Sequence, residues 1–293
     1  MTQLSTSGVM PEIGTLRLCF YGAGSMAEAI VRGLLDRGLT IPDKIGMMNR
    51  QNAERLDELS GRYGIITAAD EASKQSMLQK ADLIFLAMKP KDAAEAIKLL
   101  RSSIRADQII VSLVAGMSID TIESLLQKKT AVIRTMPNTS STIGLGATGI
   151  SFSSSVTEGQ RLLADQMFQS IGLTAVVEEP MLDVVTGISG SGPAYIYYVM
   201  EAMIEAGRKL GLSEETAREL TVQTVLGSAH MVRATNETPA DLRRKVTSPN
   251  GTTQAAIETL DAHHFTQAII AAVSRAAERA GEMGTEIERV AKS

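Results

Sequence analysis

Three small residues near the start of the chain have the spacing needed to bring a backbone close to a phosphate. Gly22, Gly24 and Ala27 follow the pattern G-x-G-x-x-G/A. The first Gly permits a tight turn and the second lets the main chain approach a pyrophosphate. The third position must be small so that the following helix can pack on the preceding strand. With Ala23, Ser25 and Met26 between them, these residues stand between an apolar run and a helical pattern. The amides and positive dipole end of that helix are then aimed at an anion, and the chemistry indicated is dinucleotide binding. About 20 residues further on, sites for an unphosphorylated ribose carry Asp or Glu. Here Met47-Met48-Asn49-Arg50-Gln51 carries no carboxylate, and none occurs from Lys44 until Glu54. The amide of Asn49 and the cation of Arg50 suit a ribose 2′-phosphate, so NADPH is the favoured ligand and NADH the second choice. The plainer reading of Arg50 is a solvated loop arginine.

A second constellation lies far along the chain, at Ser248-Pro249-Asn250-Gly251-Thr252-Thr253. It joins hydroxyls to a turn and opens a helix, which offers N–H and O–H donors to a small carboxylate. The same residues also suit an ordinary helix-capping turn. No metal site is assigned.

The elements that must hold these residues alternate through the first half. Strands are expected at 16–21, 44–49, 82–87, 109–113, 131–135 and near 174–177. Helices are expected at 25–37, 53–63, 91–104, 119–127 and 157–170, and Gly144, Gly146 and Gly149 mark a turn-rich stretch. Such alternation predicts an α/β fold with a mostly parallel, doubly wound sheet covered on both faces. After about Pro180 the strand signal stops, and 192–211, 213–234 and 252–282 read as long helices. Tyr195, Ile196, Tyr198, Val199, Met203 and Ile204 cannot share one stripe, so the first of these helices needs cover on several sides. A subunit interface is a reasonable source of that cover. The expected division is a tail at 1–14, a nucleotide-binding domain at 15–180 and a helical domain at 181–293.

Composition narrows the partners. The 293 residues are 44% hydrophobic and 21% charged, with net charge −4. That balance argues against a nucleic-acid or anionic-membrane surface, either of which needs clustered Lys and Arg. No run approaches the length needed to span a bilayer. The one cysteine, Cys19, sits in an apolar strand pattern and has no partner for an intrachain disulfide, which fits a reducing compartment. A cytoplasmic protein with a small-molecule substrate is expected.

Further segments occur in order. They are Ile-Phe-Leu-Ala-Met-Lys-Pro (84–90), Ser112-Leu113-Val114-Ala115-Gly116, Arg134-Thr135-Met136-Pro137-Asn138-Thr139 and Gly190-Ser191-Gly192-Pro193-Ala194-Tyr195. Leu242-Arg243-Arg244-Lys245-Val246-Thr247 then leads into Ser248 to Thr253. Through these segments the chain resembles the pyrroline-5-carboxylate reductase family over about 16–282. The resemblance implies a Rossmann-type N-terminal domain and an all-helical C-terminal domain that forms a homodimer, in some members assembled further. It implies hydride transfer from NAD(P)H to the C=N carbon of 1-pyrroline-5-carboxylate, giving L-proline. By position, Gly22, Ala23, Gly24, Ser25, Met26, Asn49, Arg50, Ala87, Met88, Lys89 and Pro90 would line the cofactor. Ala115, Gly116, Pro137 and Asn138 would sit near its nicotinamide end. Ser248, Pro249, Asn250, Gly251, Thr252 and Thr253 would hold the substrate carboxylate. The family usually has Gly where Asn250 stands, a place that suits a left-handed backbone, and Asn tolerates that conformation better than most residues.

The chemistry is consistent with a protein that lacks a catalytic histidine. His230, His263 and His264 all lie outside the matched segments. Ketone reduction generates an alkoxide and usually needs a positioned acid. A cyclic imine can arrive protonated, so hydride delivery depends chiefly on orientation. Thr253 is the candidate catalytic hydroxyl, hydrogen-bonding the substrate ring nitrogen. The two-domain β-hydroxyacid dehydrogenases are a competing reading, but their catalytic lysine falls at Ile196 in the Gly187-x-x-Gly190-x-Gly192 register. A reductase of another cyclic imino acid and a non-catalytic NADP(H)-binding regulator are the remaining alternatives.

Overall fold

The structure is a computed structural model and describes residues 12–292. Most of the expected tail, residues 1–11, lies outside the described residues. Ile13–Thr15 forms one 3-10 turn, and Ile13 is already part of the core.

Eight strands form one sheet among the described residues: β1 (Leu18–Tyr21), β2 (Ile45–Met48), β3 (Ile66–Ala68), β4 (Leu83–Leu86), β5 (Ile109–Ser112), β6 (Ala131–Met136), β7 (Gly146–Phe152) and β8 (Gly172–Val176). The order is β3-β2-β1-β4-β5-β6-β7-β8. Every pairing is parallel except β6 with β7. Six helices connect these strands: α1 (Ser25–Asp36), α2 (Ala53–Tyr63), α3 (Glu71–Lys80), α4 (Pro90–Leu100), α5 (Ile119–Leu126) and α6 (Glu158–Gln169). The fold is the doubly wound α/β arrangement that the alternation predicts.

Alternation along each strand sends side chains to two cores. Leu18 and Phe20 face one, with Ile30, Leu34, Leu59 and Phe168. Cys19 faces the other, with Ile84, Ile97, Ile110 and Ile122. Phe20 and Phe85 are register partners whose rings stack at 4.2 Å, which fastens β1 to β4 at the centre of the sheet. Cys19 is fully buried, and burial pushes its thiol pKa up to about 12, which makes it an inert core residue.

The chain then runs through α7 (Met181–Val185), α8 (Gly192–Lys209), α9 (Glu214–Thr235), α10 (Pro239–Lys245), α11 (Thr252–Ala262) and α12 (Phe265–Lys292). Three differences from the sequence reading have local causes. The Gly144–Gly149 stretch, expected as turns, contains β7, whose Gly149 admits Leu182 and Val185 of α7 against its backbone. The helix expected over 252–282 is broken where His263 caps α11 and His264 takes φ +56. The domain boundary expected after 180 falls instead after Gly190, and the described part of α12 from Ala276 onward belongs with the first unit. Arg134 on β6 explains the later boundary. It is buried and paired with Glu179 at 3.0 Å and Asp183 at 3.4 Å, which ties α7 to the sheet. The second unit, Ser191–Arg275, is helical throughout its length apart from its turns.

The return of α12 to the first unit rests on a contact between two glycines. A Cβ at Gly284 would lie 2.6 Å from the carbonyl oxygen of Gly116, and Gly116 itself has φ +78. At Gly281, one turn earlier, a Cβ would meet only Asp183 Oδ2 at 3.4 Å. Gly284→Ala should therefore lower stability by about 1–3 kcal/mol through overpacking. Gly281→Ala should gain a few tenths to roughly 1 kcal/mol from helix propensity. Urea unfolding of both variants checks this, and equal midpoints would remove the role given to the glycine contact.

A charged cluster fastens α1 to α2. Glu28 of α1 accepts hydrogen bonds from Arg55, from Arg62 at 2.7 Å and from Tyr63 at 2.9 Å, all on α2. Arg55 also donates to the Ala23 carbonyl at 3.3 Å, so the cluster braces the glycine turn. Partial burial opposes the Glu28 charge, but the hydrogen bonds from Arg55 and Tyr63 and the nearby guanidiniums outweigh it and hold the pKa below the ordinary glutamate value. A lowered folded pKa gives stability that is present above the unfolded pKa and is lost as pH falls through the folded one. Wild type should therefore exceed Glu28→Gln in stability at neutral pH, and the gap should close on acidification. Thermal unfolding across the acid range reads this out, and a pH-independent gap would contradict it.

Candidate active site

Gly22 marks the point where β1, β2 and β4 end together. It has φ +127, and a Cβ there would lie 2.3 Å from the Ala87 carbonyl oxygen, so no larger residue fits. Its N–H donates to the Met48 carbonyl at 2.9 Å, while the Ala87 N–H donates to the Tyr21 carbonyl at 2.9 Å. Three strand ends are thus joined at the place where the strand order reverses, which is where open parallel sheets bind ligands. Gly24 follows as the N-cap of α1, with no side-chain cap hydrogen bond. Among the described residues nothing lies within 4 Å of where its Cβ would be, so the helix N-terminus is open to an incoming anion. Ala23 and Ala27 are buried beneath the turn.

The other residues assigned to a cofactor lie on the same sheet edge, after the neighbouring strands. Lys89 is the N-cap of α4 and Pro90 its first residue, with Ala87 and Met88 half-buried between β4 and that helix. Ala115 and Gly116 form the turn after β5, against which α12 packs. Pro137 and Asn138 follow β6 and are both buried. The amide of Asn138 donates to the Ser189 carbonyl at 3.0 Å and accepts from Ala147 N–H at 3.2 Å, so its side chain ties the loop after β6 to the start of β7 and to the turn after α7. Asn49 is similarly committed. Its Oδ1 accepts from Asn52 N–H at 3.0 Å, and its Nδ2 donates to the Asn52 carbonyl at 2.5 Å, which shapes the turn into α2.

A cleft of about 390 Å³ opens beside Gly22 and is lined by Tyr21, Asn49, Arg50, Lys74, Met88 and Asp92 among others. Arg50 is 70% exposed and lies 3.7 Å from Asp92. Lys74, Tyr21 and Asp92 are residues that the sequence reading did not select. Desolvation by burial, reinforced by the charge of Glu71, raises the Tyr21 phenol pKa, so the group is neutral in the cleft. A larger cleft of about 630 Å³ lies by Arg17, Lys44 and Ile66 and contains none of the glycine-turn residues.

The residues from Ser248 to Thr253 lie in the helical unit and form one tight structure. The Gly251 N–H donates to the Ser248 carbonyl at 3.0 Å, and the Asn250 N–H donates to Gln254 Oε1 at 2.8 Å. Asn250 has φ +60, the left-handed conformation expected at that place. Gly251 is the N-cap of α11 without a side-chain cap bond, so Thr252 and Thr253 begin the helix. Ser248, Pro249, Asn250 and Thr252 are exposed, and Thr253 is half-buried. His230, His263 and His264 are exposed, and none belongs to either residue group. Among the described residues no cluster of metal-ligating side chains occurs.

Known proteins provide the remaining context. Residues 179–283 match the family model described as pyrroline-5-carboxylate reductase dimerisation. Residues 17–116 match one described as NADP oxidoreductase coenzyme F420-dependent. Pyrroline-5-carboxylate reductase 2 of Bacillus subtilis is 42% identical over 278 residues, covering 93% of this chain and 99% of that one. The structure of a Coxiella burnetii pyrroline-5-carboxylate reductase superposes with TM-score 0.85 at 36% identity, covering 92% and 98% of the two chains. A Plasmodium falciparum pyrroline carboxylate reductase, solved with NADP bound, gives TM-score 0.81 at 25% identity over 92% and 99%. With relatedness of this degree along nearly its whole length, the chain belongs to the pyrroline-5-carboxylate reductase family of oxidoreductases.

Proposed function

We propose that this protein reduces 1-pyrroline-5-carboxylate to L-proline with NADPH, as the last step of proline synthesis. The observation that carries the reading is the open helix N-terminus at Gly24 beside a joint of three strand ends that only Gly22 can make. That geometry fits a pyrophosphate, and family membership supplies the substrate class. NADPH, when bound, supplies a hydride. The turn at 87–90 lines the cofactor, those at 115–116 and 137–138 orient its nicotinamide end, and Arg50 recognises the ribose phosphate.

In this reading the first-turn amides of α11 and the hydroxyls of Ser248, Thr252 and Thr253 hold the substrate carboxylate. The C=N carbon receives the hydride and the ring nitrogen takes or keeps one proton. The half-buried Thr253 hydroxyl donates a hydrogen bond to that nitrogen, which fixes the ring for transfer. A threonine is too weak an acid to drive protonation near neutral pH, so its part is orientation. The protein works as a homodimer through its C-terminal helices. Tyr197, Tyr198, Met203, Leu226 and Met231 are all exposed there, and a partner would bury them. A reducing cytoplasm agrees with a single cysteine that has no intrachain partner.

Purified protein given NADPH and pyrroline-5-carboxylate should consume NADPH and accumulate proline in equal amounts. Turnover confined to a six-membered cyclic imine would point to a different imino-acid substrate. Intact NADPH binding without turnover of either would favour a regulatory role.

Thr253→Val keeps the side-chain shape and removes the hydroxyl. It should lower kcat/KM for the imine by roughly tenfold, the equivalent of one lost hydrogen bond, with NADPH affinity unchanged. Steady-state kinetics at varied imine concentration checks this. An unchanged kcat/KM would remove Thr253 from the site.

A further inference from the structure

Lys74 is unusual among the cations of the sheet edge. It lies on α3, 24 positions after Arg50 in the chain, yet both side chains line the cleft that begins at Tyr21 and Gly22. Its side chain is only 13% exposed, so the lysine stem is packed and its ammonium group is held at the cleft wall. The carboxylate paired with it, Glu71 at 2.8 Å, is 91% exposed. The Lys74 ammonium donates a hydrogen bond to that carboxylate, but Glu71 meets it from the solvent side, where water screens the attraction. Arg50 is held differently: its side chain is 70% exposed, and Asp92 lies 3.7 Å away, beyond hydrogen-bonding distance. Two cations thus converge on one cleft from different elements, Lys74 hydrogen-bonded to Glu71 and Arg50 only loosely placed near Asp92, with Glu95 as a third carboxylate of the lining.

We infer that Lys74 is a second cationic reader of the ribose 2′-phosphate and makes this chain specific for the phosphorylated cofactor together with Arg50. The inference rests on the NADPH reading given above. A phosphate dianion accepts charge-assisted hydrogen bonds, and such bonds are shorter and stronger than those between neutral groups. Arg50 arrives from the end of β2 as a planar fork on an exposed loop. Lys74 arrives from α3 as a point charge on a buried stem. The buried stem gives Lys74 the smaller ordering cost on binding, so it contributes discrimination that Arg50, at 70% exposure, has to gain by immobilisation. Glu71 and Asp92 play the complementary part. They neutralise the two cations before binding and then compete with the phosphate, so a nucleotide lacking the 2′-phosphate leaves both pairs intact.

The test separates the two cations. Lys74→Met keeps the packed stem and removes the charge. Isothermal titration of NADPH, NADH, 2′,5′-ADP and 5′-ADP into wild type, Lys74→Met, Lys74→Arg and Arg50→Ala reads affinity without turnover. Lys74→Met should raise the Kd for NADPH and 2′,5′-ADP by about tenfold or more. Its Kd for NADH and 5′-ADP should stay within about twofold, and Lys74→Arg should recover most of the loss. Equal changes for all four ligands, or none, would overturn the role of Lys74. If Arg50→Ala discriminates between phosphorylated and unphosphorylated ligands while Lys74→Met does not, only the second reader falls. If wild type itself binds 2′,5′-ADP no better than 5′-ADP, the NADPH reading fails with it.

Discussion

The approach of Gly22 to the backbone of Ala87 governs this structure. With a Cβ position 2.3 Å from a carbonyl oxygen, the crossing admits hydrogen and nothing larger. The exchange of backbone hydrogen bonds from Gly22 to Met48 and from Ala87 to Tyr21 follows from that closeness. It aligns the ends of β2, β1 and β4, so the loops after all three strands emerge at one level. The N-terminus of α1, the Asn49 turn and the N-terminus of α4 inherit their positions from it. The stacked Phe20 and Phe85 lie directly beneath and keep the two central strands from shearing. A side chain at position 22 would separate β1 from β4, and with them the two halves of any dinucleotide site on this edge.

The other end of the site is held differently. Where the glycine turn is built from neighbouring strands, the Ala115-Gly116 turn is held from outside by the far end of the chain. Gly116 and Gly284 meet backbone to backbone, and Ala280 is buried one turn away. The last part of α12 is therefore part of the nucleotide-binding unit even though 168 positions separate Gly284 from Gly116 in the chain. Asn138 serves the loop after β6 in the same manner, spending its amide on Ser189 and Ala147. Residues that look like ligand contacts from their place in the sequence can thus be the ones that hold the contact surface still. Asn49 belongs with Asn138 in that respect, and the charged side chains of this edge, Arg50, Lys74 and Lys89, have no such commitment to holding loops.

What the sequence reveals follows from how local each signal is. The strands β1, β2, β4 and β5 are nearly continuous apolar runs because both faces are covered, β6 opens with one, and they are legible for that reason. The glycine turn is legible because its spacing encodes its own geometry. β7 is not, since Gly144, Gly146 and Gly149 dilute the apolar pattern of a strand that exists because α7 packs against it. β3 has only three residues, and α3 exposes most of its surface, with Leu78 its single buried side chain, so neither carries a clear period. Lys74 was hidden for that reason. The role proposed for it comes from its convergence with Arg50 on one cleft, and no spacing along the chain records that. The return of α12 is equally non-local, because a glycine in a helix is read as a weakness unless the opposing glycine is known.

Asn250 shows how a departure in sequence can be neutral in geometry. The position demands φ +60, which glycine adopts freely and asparagine at modest cost. That conformation turns the backbone so that the Asn250 N–H meets Gln254, and Gly251 N–H meets the Ser248 carbonyl. Both amides are then occupied within the turn, and the amides that remain to meet an anion are those at the start of α11. The carboxylate grip proposed for this turn therefore depends on the backbone path through Asn250. A residue unable to hold a left-handed conformation, such as a β-branched one, would rotate the start of α11 away from its present direction. Asparagine preserves that direction, which is why the chain can carry it here and keep the chemistry of its family.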